Sequence, residues 1–403
     1  MSLAEVPAVL ILAGLAAYVG LAGADFGAGF WDLTARAGAD RVREHTHRAL
    51  APVWEANHVW LIFVLVVCWT AYPEAFGSIF STLAAPLLLA AIGIILRGAS
   101  YAARSAGESP TASAVFSLSS IVTPFALGAA IGAIASGRVP TGNAAGDLFA
   151  SWLNPTSIAI GTLAVATSAY LAAVYLAGDA HRIGSPELLR AFRSRALGAG
   201  VAAGILALVG TAVVAADAER LFDGLTRGAG LAAVIVSALG GIATLALVAR
   251  GRYGPARFSA ALAVAAIVAG WGLAQAPELL PGLTIEEAAA GEATLVALLI
   301  GVAAGLVILI PSLALLFGLV LRGRFDAAAD VATVPAERAA AAPGGPGRRR
   351  GAAVIGLIAL GVPLTLLADG VLFALGVVLM LAFVAAAFAV LVSPETLSER
   401  DSA

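Results

Sequence analysis

The sequence predicts an all-α polytopic membrane protein, and three observations point there. Of 403 residues, 61% are hydrophobic and only 12% charged, with a mean hydropathy of +0.97. Soluble domains are about half apolar and about a quarter charged. Apolar runs of about 20 residues, enough to cross a hydrocarbon core of about 30 Å as helices, recur along the chain. Arginines gather in alternate loops.

The runs fall at 5–24, 52–73, 76–101, 113–136, 156–178, 196–216, 228–250, 256–276 and 293–321. The first has no basic segment before it and carries Glu5 at its head, so it reads as a retained spanning helix rather than a secretory signal. A tenth tract, 351–392, would make a straight helix of about 63 Å, twice what a bilayer needs. Pro363 and the "ADG" at Ala368–Gly370 interrupt it, which predicts two spans in a C-terminal hairpin. Between the ninth run and this tract lies an Ala-, Pro- and Arg-rich stretch. The chain therefore divides into a membrane domain 1–324, a cytoplasmic linker 325–350, and a membrane hairpin and tail 351–403.

All 23 basic residues are arginine. Nineteen lie at odd-numbered loops, among them Arg36, Arg41, Arg43, Arg48, Arg97, Arg104, Arg182, Arg250 and the run Arg348 to Arg350. Even loops hold Arg138, Arg220 and Arg227 alone, and the eighth has Glu278, Glu286, Glu287 and Glu292 with no base. The positive-inside rule then puts the odd loops in the cytoplasm and the N-terminus outside.

Several chemistries drop out. One cysteine, Cys68, excludes an internal disulfide framework and argues against a thiolate metal site. No HExxH, P-loop or strand-borne GxGxxG occurs, and a net charge of -2 gives no footprint for nucleic acid. His45, His47 and His181 sit in arginine-rich loops and read as solvated or headgroup residues. His58 alone lies near a span, so no facing pair suggests a bis-imidazole haem.

Acids embedded in spans are costly and tend to face cavities or to work on protons and ions. The candidates are Asp25, Glu55 and Asp369, and less deeply Asp32 and Glu74. Asp25 lies in "GADFGAG", where three glycines permit either close helix approach or a local break. In "APVWEANHVWLIF", Glu55 and His58 are three apart and share a helix side, flanked by Trp54. Asn57 lies on the adjoining flank, Trp60 points elsewhere, and Pro52 suits a helix start. An acid backed by an imidazole at a cytoplasmic mouth suits proton entry. The same residues also suit a plain helix end, with tryptophans in the membrane belt. Both readings stand on the residues alone.

These stretches, with "AYPEAF" at 71–76, "ILRGASYAAR" at 95–104, "LNPTSIAIGTL" at 153–163 and "LLPGLTIEEAAAGEATL" at 279–295, resemble subunit II of cytochrome bd-type quinol oxidases. The resemblance covers residues 1 to about 324 and leaves the linker and hairpin outside. It implies nine transmembrane helices in two four-helix bundles plus a peripheral helix, in a bacterial cytoplasmic membrane. It implies a partner, subunit I, that carries haem b and haem d, oxidises quinol and reduces oxygen to water. A structural quinone and a small accessory subunit are further implied partners. Glu55 matches the family's acid on a proton path from the cytoplasm, and Asp25 an aspartate of a glycine-rich stretch. Trp54, Asn57 and Trp60 are candidates for supporting a cofactor in the same motif. The sequence departs from the family at Ala22 and Ala102, where acids are usual, at Ala56 for glycine, and at His58 for a glutamine or glutamate. The rival readings are a secondary transporter with an ion site at a broken first helix, and a scaffold with no proton role.

Overall fold

The computed structural model describes residues 2–34, 41–42, 44–46, 54–106, 110–321, 356–357, 359–365 and 370–391. Side chains are described except at 54–56, 101–106, 110–112, 317, 320–321, 384–385 and 387–391. The linker 325–350, Asp369, His47, and the side chains of Trp54 and Glu55 lie outside the described residues. Two compact units appear: 1–91 with 120–329, and 92–119 with 330–403.

The described residues are helical almost throughout. The helices are α1 (Glu5–Leu33), α2 (Trp54–Ala71), α3 (Pro73–Thr82), α4 (Ala84–Ala106), α5 (Pro110–Ala135), α6 (Pro155–Arg182), α7 (Pro186–Asp217), α8 (Glu219–Thr226), α9 (Gly228–Ala249) and α10 (Tyr253–Gln275). A short ribbon, β1 (Glu278–Leu280) and β2 (Leu283–Thr284), leads to α11 (Ile285–Ala288), α12 (Glu292–Leu321) and α13 (Gly370–Leu391). Among the described residues, seven helices are long and apolar enough to cross a membrane, and an eighth span arises if α3 and α4 count together.

One sequence expectation needs correction, and one open choice is decided. The run 76–101 is not one straight span: the chain bends by 83° between α3 and α4. Pro73 starts α3 without needing its own N–H donor. The 136–154 loop then caps the corner, because Gly142 N donates to Ser78 Oγ (2.9 Å) and Ala144 N to Ser81 Oγ (2.7 Å). The glycine-rich stretch of α1, in turn, is not a break. The helix runs unbroken for 29 residues, past the expected end at 24. Its glycines serve close approach instead. A Cβ on Gly27 would fall inside the Ser168 carbonyl of α6 and 2.8 Å from Ala169 N. Trp31 Nε1 then donates to Ala169 O (2.8 Å).

In the first unit α6 packs along α7 and α1, α9 along α10, and α1 along α2. One apolar cluster fills the arginine-rich end, with Ala24, Val42, Leu176, Leu188, Phe192 and Val248. Another fills the opposite end, with Tyr72, Leu83, Val139, Leu280 and Leu295. The outer sides of α7 and α12 stay bare and apolar, with Leu208 and Val307 each 74% exposed. Lipid or a partner subunit must cover them.

Burial changes the standing of one loop residue. His45 is 7% exposed, not solvated. Its ring lies 5.5 Å from that of Phe192, with Nε2 3.4 Å from Leu176 O and 3.8 Å from Asp179 Oδ2. Arg41 pairs with Glu187 at 2.6 Å nearby. In the second unit Arg97 is fully buried within α4, its guanidinium 4.1 Å over the Phe116 ring. There too, 359–365 runs antiparallel to α13: a Cβ on Gly361 would come 3.1 Å from Met380 Cγ, and one on Gly376 2.6 Å from Thr365 N.

At the arginine-poor end, Thr284 caps α11. Its N–H and hydroxyl donate to Glu287 Oε2 (2.9 and 2.7 Å), and Glu287 N donates back to Thr284 Oγ1 (3.3 Å). These donors hold the Glu287 carboxyl below the usual carboxylate range. A depressed carboxylate contributes stability above its ordinary pKa and loses it as pH falls through the folded value. Exchange of the 285–288 amides, taken relative to their intrinsic rates, should therefore speed up on acidification. The same protection should already be missing at neutral pH in Glu287→Ala.

Candidate functional site

The α1–α2 seam carries three of the polar residues that the sequence singled out, Asp25, Asn57 and His58. Burial settles which way α2 faces. Asn57, Val64, Val67 and Ala71 are buried (1, 8, 1 and 0% exposed), whereas Val59, Ile62, Val66 and Trp69 are 39 to 64% exposed. The two sets follow helical spacing on opposite sides of one cylinder. Contact with α1 begins at Gly14, where an added Cβ would sit 2.8 Å from Val64 Cγ2 and 2.9 Å from Phe63 Cδ1. Further along, the His58 ring lies between Tyr18 and Phe26, at 6.0 and 6.2 Å.

That pairing fixes an antiparallel register. Gly14 is level with Phe63 and Val64, and the stretch from Tyr18 to Phe26 with His58. One turn further, the backbone at position 55 is level with Asp25. Asp25 shares the α2-facing side of α1 with Gly14 and Tyr18 by helical spacing, and it is fully buried. Asp32, at the end of α1, is 6% exposed. Thus Asp25 and His58 both belong to the α1–α2 seam, and the Glu55 backbone lies in the turn of α2 just before His58. Trp60 lies on the buried side of α2 with Asn57, its ring 6.2 Å edge-on to Phe63. Glu74 stands apart, exposed in the first turn of α3.

Among the described residues of α2, Asn57 Oδ1 and Trp60 Nε1 are buried without a hydrogen-bond partner. Among the described residues no three His, Cys, Asp or Glu side chains gather as a metal set. A cavity of about 310 Å³ lies elsewhere, at the arginine-poor end, lined by Asp217, Glu219, Arg220, Gln275 and Glu278 among others.

Sequence reasoning missed one polar knot at that end. Arg138 grips Asp217 with both guanidinium nitrogens (2.7 and 3.2 Å). Thr156 donates its hydroxyl (2.6 Å) and its N–H (3.2 Å) to the same carboxylate. The knot joins the ends of α5, α6 and α7. Its one legible signal was Arg138, a lone base next to a span in an arginine-poor loop.

The family model for cytochrome bd terminal oxidase subunit II matches residues 3–320. The solved structure of bd oxidase from Geobacillus thermodenitrificans matches with a TM-score of 0.67 and 26% identity, over 79% of this chain and 98% of that one. No curated protein matches significantly. The apolar helices and these matches describe a multi-pass subunit of a bacterial inner-membrane respiratory oxidase, whose haems reside in a partner, subunit I. The chain belongs to the cytochrome bd terminal oxidase subunit II family.

Proposed function

We propose that this chain supports the haem-bearing subunit I and brings protons to it from the cytoplasm, along a route that starts at Glu55 and Asp25 in the α1–α2 seam. Oxygen reduction consumes protons as well as electrons. The haems of subunit I supply the redox chemistry when bound there, and this chain's residues hold and pass protons. The observation that carries the reading is the register that sets a fully buried Asp25 level with position 55. His58 lies in the same seam, between the Tyr18 and Phe26 rings. The arginine pattern supports a cytoplasmic site for this end, with the N-terminus outside.

In the same reading the chain has nine family spans. The α3–α4 pair counts as one and the shorter α2 as another, and α12, which packs on α2, is the peripheral helix. The C-terminal tract adds a membrane hairpin after a cytoplasmic linker. The transporter reading loses its support, since the first helix it needed broken is continuous.

Glu55→Gln tests the proposal, because the amide keeps shape and hydrogen bonding but carries no exchangeable charge. In the purified two-subunit complex, turnover should fall about a hundredfold where proton supply limits, most at alkaline pH, with haem spectra unchanged. Wild-type turnover at high pH would reject the route.

A further inference from the structure

Asn57 and Trp60 present unsatisfied groups of opposite kind on the buried face of α2. Asn57 Oδ1 is an acceptor without a donor, and Trp60 Nε1 is a donor without an acceptor. They are three residues apart, and side chains at that spacing are neighbours on a helix. Asn57 is 1% exposed in this chain by itself, so neither lipid nor subunit I can reach it to supply a donor. Interior polar atoms rarely stay unpaired, and ordered water is their usual partner when no side chain serves.

We infer that Asn57 and Trp60 hold one internal water in the α1–α2 seam, donating to Asn57 Oδ1 and accepting from Trp60 Nε1. This rests on the proton-entry reading for its purpose, though not for its geometry. An amide and an indole do not titrate in the physiological range, so they carry no proton themselves. They are positioning residues. A water held by one donated and one accepted bond keeps a second hydrogen and a second lone pair for neighbours. It can therefore relay a proton arriving from the Asp25 turn while the two side chains stay unchanged. The site takes water in preference to a cation, because the indole N–H needs an acceptor that a cation cannot provide.

The complete complex with subunit I provides the test, with Asn57→Leu, Asn57→Ser and Trp60→Phe compared by turnover across pH and by thermal midpoint. Losing one hydrogen bond to the relay should slow turnover about fivefold. The loss should grow toward alkaline pH, with haem content unchanged, in Asn57→Leu and Trp60→Phe. Asn57→Ser keeps an acceptor and leaves room for water, and it should recover most of the rate. The thermal midpoint should drop in Asn57→Leu, because the water loses its anchor. A raised midpoint in Asn57→Leu, with a wild-type pH profile, would overturn the inference, since replacing a truly orphaned amide by an apolar isostere stabilises. Slowing in Glu55→Gln but not in Asn57→Leu rejects the water alone. The opposite result rejects Glu55 as the entry acid and leaves the water site standing.

Discussion

A complex carrying Gly27→Leu is expected not to assemble. Here the α1 and α6 backbones meet with no side chain between them: even a Cβ on Gly27 would overlap the Ser168 carbonyl. The obstruction is main chain, which cannot swing aside as a flexible side chain can. Next to it, the Trp31 to Ala169 bond and the contact of Gly23 with Leu171 (3.4 Å from an added Cβ) depend on the same close approach. Gross overpacking of this kind costs about 4 kcal/mol or more, the upper range for single substitutions. Gly20→Ala is the matched control. Gly20 is also buried on α1, yet nothing lies within 4 Å of the added carbon. Alanine there should be neutral or stabilise by about 0.5–1 kcal/mol through helix propensity. The yield of assembled, haem-replete complex and its thermal midpoint report both variants. Normal assembly of Gly27→Leu would mean that α1 and α6 do not pack as described.

Asp217→Ala should destabilise the complex by about 3 kcal/mol. The change strands Arg138 and two donors of Thr156 at the end where α5, α6 and α7 meet. Breaking one partner of a buried pair costs more than the pair itself contributes, about 3–5 kcal/mol. The lower end applies here, since the Arg138 side chain is 33% exposed and water can take over part of its solvation. The double variant Arg138→Ala with Asp217→Ala should recover part of the loss. The thermal midpoint measures this; equal midpoints for the single variant and wild type would show that the knot carries no stability.

Much of the architecture was legible because bilayer physics acts on short windows of sequence. Run length needed no long-range information, and most described helices lie on the apolar runs, apart from the corner within 76–101 and the overrun of α1 past 24. The errors came from partners distant in the chain. The α3–α4 corner is capped by Gly142 and Ala144, more than 60 residues from the serines they bond. Asp217 takes its hydrogen bonds from residues 61 and 79 positions away. His45 looked solvated because its surroundings, Leu176, Asp179 and Phe192, come from two helices that no local pattern connects to it. At the candidate site, helical spacing tied Glu55 to His58 from sequence alone. The pairing of that turn with Asp25 needed the register with α1. The glycines of "GADFGAG" announced a special backbone, but composition could not distinguish a gap from a tight crossing.

The length of α1 bears on the proposed proton route. Twenty residues separate Glu5 from Asp25, a rise of about 30 Å, which matches the thickness of the acyl layer. The last eight residues of the helix continue past Asp25 and are steadied by the Trp31 to Ala169 hydrogen bond. The isolation of Asp25 from bulk solvent is the work of a protein collar rather than of oil. On the proposed route, proton entry at Asp25 is accordingly a matter of side chains moving apart, and it should respond to mutation far more than to lipid composition.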